Sequence, residues 1–268
     1  MSSTLTHEMR RVRRDVVLRL LEVKNVQTLT PKMVRVTLTG DALHGFESAS
    51  PDDHVKVFVP LPGHTHPTLP VLTAEGPRSA PGVTTSPARD YTPRRYDANA
   101  NELDIDFVLH GDGPASTWAA QAKPGQFLGI GGPRGSRIVA DDFDTYVLIG
   151  DETALPAIGR WLEEMPEGTR AITIVEIADE DERVPLHSRA QVERHWLHRN
   201  GEAPGMTTRL EDALRAIAFP PGDTFVWVGA ESRTVRGIRL YLQNELGHNP
   251  DWVKASGYWK LWPEDDDE

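Results

Sequence analysis

Three residues near position 90 carry side chains suited to an aromatic ligand that also bears phosphate. Arg89 offers a guanidinium that can bind a phosphate through paired hydrogen bonds, Tyr91 offers a flat ring face, and Thr92 offers a small hydroxyl for a ring nitrogen. The three residues stand where a strand is expected to begin. Together they suit a flavin, although a string this short also occurs at ordinary strand entries.

A second segment, residues 106–119, is typical of a strand that runs into a glycine turn and then a helix. Gly111 and Gly113 allow the backbone to approach a ligand closely, and Pro114 suits the first turn of a helix. Because the first amides of a helix have no partner within it, they can hold a pyrophosphate. The segment therefore predicts a phosphate cradle.

Other kinds of chemistry are not indicated. The chain has no cysteine, so redox chemistry would need a bound organic cofactor or a substrate metal. His64 with His66, and His195 with His198, could be metal ligands, but the first pair lies in a loose loop and the second lacks a helical i, i+4 spacing. We therefore predict no metal site. The motifs of nucleophile-elbow hydrolases and P-loop NTPases are absent, and no G-x-G-x-x-G follows a strand.

The first half of the chain has the pattern of a β-barrel. Short runs rich in β-branched and aliphatic residues alternate with turns and have no long helices between most of them. A stretch loaded with Pro, Gly, Ser and Thr, residues 60–87, reads as a long loop. The predicted strands are residues 18–26, 33–38, 54–59, 104–109 and 127–130.

Near Asp144 the pattern changes to strands alternating with helices, which predicts a mostly parallel sheet. The predicted strands are residues 146–149, 171–177, 224–228 and 253–259, and the predicted helices are residues 153–165, 208–218 and 232–246. We place a β-barrel domain at residues 1–140, an α/β domain at 141–262 and an acidic tail at 263–268.

The composition of the chain limits its possible binding partners and cellular location. A net charge of −11 argues against general nucleic-acid binding, and no apolar run approaches the roughly 20 residues needed to span a bilayer. The start is polar and then basic, without the apolar region of a secretory signal. We expect a cytoplasmic location.

The two segments described first resemble the FAD-binding half of siderophore-interacting proteins, the family that includes vibriobactin-utilisation-type ferric reductases. The likeness spans nearly the whole chain, because it extends to PheLeuGlyIleGlyGlyProArgGlySer at residues 127–136, residues 150–158, TrpValGlyAlaGluSer at 227–232 and GlyTyrTrpLys at 257–260. It implies a ferredoxin-reductase-like fold, in which an FAD-binding β-barrel precedes a nucleotide-binding α/β domain.

The resemblance also implies roles for individual residues. Arg89 would contact FAD phosphate, Tyr91 would pack on the isoalloxazine, and Thr92 would bond near its reactive edge. For His110 a plain hydrogen bond at a strand end is the alternative, for Trp118 it is core packing, and for Asp151 or Thr153 it is a helix cap. The full predicted cofactor-binding set is Arg89, Tyr91, Thr92, Asp106, Val108, His110, Gly113, Pro114, Ala115, Ser116, Trp118, Asp151, Thr153, Ala154 and Glu231.

The substrate implied by the family is a ferric siderophore. Because ferric catecholates are bulky and anionic, basic residues near the flavin should bind them, and the candidates are Arg233, Arg236, Lys254 and Lys260. Lys260 fills the place of the basic residue that family members carry after Gly-Tyr-Trp. Many relatives continue with further basic or glycine residues, whereas here Leu261 and Trp262 are followed by an acidic run, which leaves the type of siderophore open. Each of the four candidates could equally be a solvated charge.

The activity implied is an NAD(P)H-dependent, FAD-containing reductase that releases iron as Fe²⁺. Neither an acidic ribose ligand nor an arginine for a 2′-phosphate can be placed, so NADPH and NADH both stay open as the donor. The alternatives are a flavin reductase or other electron-transfer flavoprotein with a different acceptor, a siderophore-binding or flavin-binding protein without turnover, and a nucleotide-binding regulator.

Overall fold

A computed structural model describes residues 7–262 of the 268-residue chain. The chain divides into two units, one spanning Met9–Val139 and the other made of residues 140–262 together with His7 and Glu8. The sequence had assigned those two early residues to the first domain. The acidic tail predicted at residues 263–268 lies outside the described residues.

The first unit is built on one seven-stranded antiparallel sheet with the order β7-β4-β10-β2-β3-β9-β8. Two smaller two-stranded sheets, β1-β11 and β5-β6, accompany it. Its strands are β1 (Arg10–Arg13), β2 (Leu18–Thr30), β3 (Met33–Thr39), β4 (Val55–Phe58), β5 (Val71–Thr73), β6 (Gly76–Arg78), β7 (Ala88–Tyr91), β8 (Pro93–Asp97), β9 (Glu102–Val108), β10 (Phe127–Gly131) and β11 (Gly135–Ile138), and its helices are a 3₁₀ turn (Asp41–Leu43) and α1 (Pro114–Ala120).

The sheet must curl into a barrel-like form because of how its edges are joined. β7 and β8 are the two edge strands of the order, yet only Thr92 separates them in the chain. A single residue cannot cross the width of a flat seven-stranded sheet, since neighbouring strands lie about 4.8 Å apart. The two edges therefore meet at Thr92.

Along the strands, buried apolar residues alternate with exposed polar residues, and the buried ones fill the barrel interior. In β2, Leu21 and Val23 are fully buried while Glu22 and Lys24 face solvent. The buried side chains join one continuous core with others such as Phe107. The period of two that predicted the strands is thus the period that builds the core.

Two parts of the first unit differ from the sequence prediction. Arg10–Arg13, where the sequence analysis predicted no strand, pairs with Gly135–Ile138 as an antiparallel strand. The stretch predicted as a long loop contains the β5-β6 hairpin. It is also anchored on β10, because His66 stacks on Phe127 with ring centroids 4.3 Å apart.

The second unit is a five-stranded parallel sheet with the order β14-β13-β12-β15-β16. Its strands are β12 (Thr145–Asp151), β13 (Arg170–Ile177), β14 (Gln191–His198), β15 (Thr224–Glu231) and β16 (Val253–Trp259). Its helices are α2 (Leu155–Glu164), α3 (Arg209–Ala216) and α4 (Ser232–Leu240), a π-helical turn (Tyr241–Glu245) that continues α4, and 3₁₀ turns (Glu152–Ala154, Glu180–Glu182 and Pro250–Trp252). The predicted mostly parallel sheet is confirmed, but β14 was missed.

The strand order fixes where this sheet can bind a ligand. β13 and β14 lie on one side of β12, whereas β15 and β16 lie on the other. The chain therefore reverses direction across the sheet between β12 and β15, and ligands of open parallel sheets bind beyond the carboxyl ends of strands at such a switch point. Asp151 ends β12 and Glu231 ends β15. No helix among residues 7–262 is long and apolar enough to cross a membrane.

Candidate cofactor and substrate sites

Arg89 and Tyr91, from the first segment of the sequence analysis, lie on the edge strand β7. Successive side chains of a strand point to opposite faces of the sheet. Arg89 and Tyr91 share one face, while Asp90 faces the other way and pairs with Lys56 at 2.8 Å. Arg89 is exposed and donates through Nη1 to the carbonyl oxygen of Ala88 at 2.8 Å. Within residues 7–262 most of its guanidinium donors therefore remain for a ligand.

Tyr91 lies on the barrel core with part of its ring accessible. Its ring centroid is 4.5 Å from that of Phe107, and the side chain is half-buried. Burial raises the pKa of Tyr91 to about 12, although the charge of Arg89 acts in the opposite direction. The phenol is thus neutral at physiological pH, and it offers a ring surface and a hydroxyl donor. Thr92 follows as a buried residue at the barrel seam.

The glycine turn after β9 has the predicted form. Gly111 adopts a φ of +46°, which a side chain would strain. An added Cβ at Gly111 or Gly113 would meet no atom within 4 Å, so the backbone there faces open space. The amide of His110 donates to Oγ of Ser116 at 2.8 Å, which ties the strand end to α1. Pro114 begins the helix as predicted.

Two helix residues of the predicted set serve the barrel core. Ala115 and Trp118 are buried within it, and the ring centroids of Trp118 and Phe107 lie 5.9 Å apart. The packing role that the sequence left open for Trp118 is therefore present. Contact of either residue with the cofactor stays a prediction.

Asp106 is a buried carboxylate already held by protein cations. Its two oxygens accept hydrogen bonds from Nε and Nη2 of Arg35 at 2.7 and 2.8 Å, and Nε of Arg94 lies 3.9 Å away. Val108, further along β9, pairs with Met33 and is half-buried. Cofactor contact by Asp106 or Val108 stays a prediction.

At the carboxyl end of β12, Asp151 is 5% exposed and uses both carboxylate oxygens. Oδ1 accepts from the amide and hydroxyl of Thr153, while Oδ2 accepts from Nε1 of Trp259 at 2.8 Å. The helix-cap alternative for Asp151 is thereby confirmed. Burial raises the pKa of Asp151 to about 6, because the charged form loses more solvation than the hydrogen bonds from Thr153 and Trp259 return.

The turn after Asp151 packs closely on the sheet. Ala154 is fully buried, and a Cβ on Gly150 would lie 2.4 Å from Cβ of Ala154 and 2.6 Å from the carbonyl oxygen of Gly229. Only glycine therefore fits at position 150. This close approach fixes the start of α2 at the switch point.

Glu231 repeats the arrangement at the end of β15. The side chain is 2% exposed, and Oε2 caps α4 by accepting from the amides of Arg233 and Thr234 at 2.7 and 3.1 Å. Oε1 accepts from the amide of Leu261 at 3.3 Å.

The four predicted substrate residues do not form one patch. Arg233 and Arg236 are exposed on α4, and the guanidinium of Arg233 lies 4.2 Å from the ring centroid of Trp262. Lys260 is exposed just beyond the carboxyl end of β16. Lys254 stands near the amino end of that strand, and six strand residues span about 20 Å. Lys254 is therefore the candidate least suited to share a ligand with Lys260.

Sequence reasoning missed an ion-pair network at the carboxyl edge of the sheet. Arg199, 4% exposed, donates through Nη1 to Glu152 at 3.0 Å and to Glu176 at 3.3 Å, and its Nη2 also binds Glu152. Thr207 donates its hydroxyl to Glu176. The available signal was that Glu152 and Glu176 lie at or just beyond the ends of two predicted strands. Arg199 follows the missed strand β14, and Thr207 lies just before α3, so neither was indicated. Within residues 7–262 no group of three or more His, Asp or Glu side chains could hold a metal ion.

Family models match both units. Residues 22–137 match the siderophore-interacting FAD-binding domain, and residues 143–261 match the siderophore-interacting protein model. A ferredoxin NADP⁺ reductase from Neisseria gonorrhoeae, with 14% identity and a TM-score of 0.58 over 90% of this chain and 99% of its own, shows the fold alone. It confirms the predicted ferredoxin-reductase-like fold.

Curated relatives and a crystal structure agree with these models. The NADPH-dependent ferric-chelate reductase of Escherichia coli is 34% identical over 93% of this chain and 95% of its own. The ferric vibriobactin reductase of Vibrio cholerae is 33% identical over 90% and 89%. A siderophore utilization protein from T. fusca has 41% identity and a TM-score of 0.88, covering 95% of this chain and 97% of its own. The chain therefore belongs to the siderophore-interacting protein family, and its first unit is the FAD-binding domain of that family.

Proposed function

We propose that this protein is an NAD(P)H-dependent, FAD-containing reductase of ferric siderophores that releases iron as Fe²⁺. The observation that carries the proposal is the pairing of Arg89 and Tyr91 on one face of β7, beside the barrel seam at Thr92. The printed activities of the E. coli and V. cholerae relatives, a ferric-chelate and a ferric vibriobactin reductase, support the same assignment.

The first unit has groups that fit FAD. An exposed guanidinium at Arg89 matches a phosphate, a half-buried neutral phenol at Tyr91 matches an aromatic ring, and the open backbone at Gly111 and Gly113 matches a close phosphate contact. These residues would bind and orient the cofactor. Bound FAD would supply the conversion of a two-electron hydride donor into single electrons for Fe³⁺.

The second unit would bind the nicotinamide donor at the switch point beyond β12 and β15. The backbone of the turn that Asp151 caps would face the dinucleotide, whereas the side chain of Ala154 is fully buried and packs under Gly150. Glu231 fixes the start of α4. NADPH is the donor in the printed name of the E. coli relative. Because reduced nicotinamide is a cytoplasmic metabolite, we place the reaction in the cytoplasm.

The substrate would be an anionic ferric chelate attracted by the exposed cations of the second unit. Arg233, Arg236 and Lys260 are exposed, and a flexible ammonium or guanidinium attracts chelate carboxylates or catecholates without needing one fixed geometry. Hard oxygen ligands hold Fe³⁺ far better than Fe²⁺, so reduction itself would release the iron. The chain's own contribution is attraction and orientation, and no acid or base is required.

The test is an anaerobic visible spectrum of the purified protein, taken before and after NADPH or NADH and again after a ferric siderophore, with a ferrous-iron trap present. Flavin bleaching, reoxidation by the chelate and trapped Fe²⁺ are expected. Protein that neither carries nor takes up FAD would refute the assignment. Bleaching without trapped Fe²⁺ would point to a flavin reductase with another acceptor.

A further inference from the structure

Two buried carboxylates at the switch point divide their hydrogen bonds in the same way. Asp151 and Glu231 end two adjacent parallel strands, β12 and β15. Asp151 is only 5% exposed and Glu231 only 2% exposed. Burying a carboxylate is costly unless several donors compensate, so each oxygen's partner matters.

In both residues one oxygen binds the start of a helix, and the other binds the end of β16 or the chain just beyond it. Asp151 caps the turn before α2 through Oδ1 and accepts the indole N–H of Trp259 through Oδ2. Glu231 caps α4 through Oε2 and accepts the amide of Leu261 through Oε1. A cap alone uses one oxygen and does not require this burial.

These bonds fix the tripeptide Trp259–Lys260–Leu261 at both of its ends, and we call the arrangement the carboxylate latch. Oγ of Ser232 adds a third bond by donating to the carbonyl oxygen of Trp259 at 3.1 Å. Gly205, with a φ of +74°, packs against the latch so closely that a Cβ would lie 2.8 Å from Cη2 of Trp259 and 3.0 Å from Cγ of Glu231. Lys260 is the exposed residue between the two fixed points.

We propose that Asp151 and Glu231 are positioning residues that hold Lys260 at the carboxyl edge of the sheet, where it meets the anionic ferric chelate. The proposal rests on the proposed function, because Lys260 matters here only if the chelate is the substrate. A lysine on an unrestrained strand end would sample many positions, and restraining the backbone on both sides reduces the entropy lost when its ammonium binds.

Trp259→Phe is the sharpest perturbation. It removes the indole N–H but keeps an aromatic ring and leaves the bonds from Thr153 to Asp151 in place. Glu231→Gln is the second variant, because one amide oxygen can still cap α4 while the amide NH₂ then faces the N–H of Leu261. Trp196→Phe on the edge strand β14, where Trp196 contacts Arg183, is the matched control.

The first readout needs no turnover. Hydrogen exchange at the amides of Lys260 and Leu261, followed in the purified protein, should accelerate at least tenfold in Trp259→Phe and Glu231→Gln and stay unchanged in Trp196→Phe. Unchanged exchange in both latch variants would overturn the proposal. A thermal midpoint recorded for each variant identifies any that is globally unfolded, in which case the other latch variant decides.

The second readout separates positioning from general damage. In Trp259→Phe the KM for a ferric siderophore should rise at least fivefold and approach that of Lys260→Ala, while the rate of flavin bleaching by NADPH changes less than twofold. A raised KM in Lys260→Ala with a normal KM in Trp259→Phe would refute the latch. If the unaltered protein itself fails to reduce the chelate, the proposed function fails instead, and the exchange measurement still judges the latch.

Discussion

His7 is a buried histidine whose two ring nitrogens both face carboxylates. Nδ1 lies 2.8 Å from Oδ1 of Asp142, and Nε2 lies 3.0 Å from Oδ2 of Asp223. The ring is stacked on Phe143 with centroids 4.0 Å apart, and the residue is 6% exposed. A neutral imidazole donates from one nitrogen only, so this geometry calls for the doubly protonated ring.

The electrostatic balance favours that charge. Burial opposes protonation, but the hydrogen bonds and negative charges of Asp142 and Asp223 outweigh burial and raise the pKa of His7 above 6.5. A histidine whose pKa is raised on folding contributes stability that is fully present below the unfolded pKa and is lost as pH rises through the folded pKa. The contribution of His7 should therefore decline on the alkaline side of pH 6.5.

His7→Asn is the cleanest perturbation, because asparagine tolerates the φ of +40° that His7 adopts. Hydrogen bonds to charged groups contribute about 1.5–3 kcal/mol each, but Asp142 and Asp223 are 31% and 43% exposed, so screening reduces this value. We expect a loss of about 2 kcal/mol at pH 6 and about 1 kcal/mol at pH 9, where ring stacking remains.

Thermal midpoints of the two proteins between pH 5.5 and 9 measure the effect. A loss of 2 kcal/mol corresponds to a midpoint about 4–8 °C lower, and the gap should narrow as pH rises. His44→Asn, at an exposed histidine, is the control and should show no such trend. An NMR titration of the His7 ring gives the pKa directly. A gap independent of pH, or a measured pKa at or below 6.5, would refute the reasoning.

Three further predictions concern the sites. Arg89→Ala should weaken FAD binding about tenfold by removing a charge-assisted phosphate contact, measured by calorimetry against Arg78→Ala, and equal affinities would contradict the assigned role. Gly150→Ala should destabilise the protein by about 1–3 kcal/mol, because the new Cβ would lie 2.4 Å from Cβ of Ala154, and a normal thermal midpoint would show that the turn can relax. Asp106→Asn should cost about 3 kcal/mol by leaving the guanidinium of Arg35 with a neutral partner, measured by denaturant unfolding; a loss below 1 kcal/mol would exclude a strong pair.

Local sequence patterns predicted most of the strands, through the alternation of apolar and polar residues, and the glycine turn after β9, through its glycines and proline. The string at residues 89–92 was placed at a strand, and the structure adds that this strand ends at the barrel seam. β14 escaped prediction because Gln191–His198 carries Glu193, Arg194 and His195, and its residues are half-buried or exposed as suits an edge strand. Edge strands of this kind lack the continuous apolar run that indicates a buried parallel strand.

The contacts that build the sites could not be predicted from the sequence, because they join residues that are far apart in the chain. Arg199 reaches Glu152, 47 residues earlier, and Trp259 reaches Asp151, 108 residues earlier. The sequence predicted a strand that ends at residue 149, two residues before Asp151, and it allowed Asp151 a capping role. Nothing local to residue 151 indicates an indole partner. Register between β12, β15 and β16 brings them together, and register is a property of the assembled sheet.

The capped helix starts give a physical reason why the chain lacks a glycine-rich dinucleotide fingerprint. In a standard Rossmann site the first helix offers free amides and the positive end of its dipole to the pyrophosphate. Here Asp151 takes the amide of Thr153 at the turn before α2, and Glu231 takes two amides at the start of α4. A pyrophosphate placed at either start would compete with a buried carboxylate for these amides. The turn before α2 would therefore contact the dinucleotide through groups other than the capped amides. The same two carboxylates that occupy these helix amides also bind Trp259 at the end of β16 and Leu261 just beyond it. The absence of the fingerprint and the carboxylate latch around Lys260 therefore have the same structural cause.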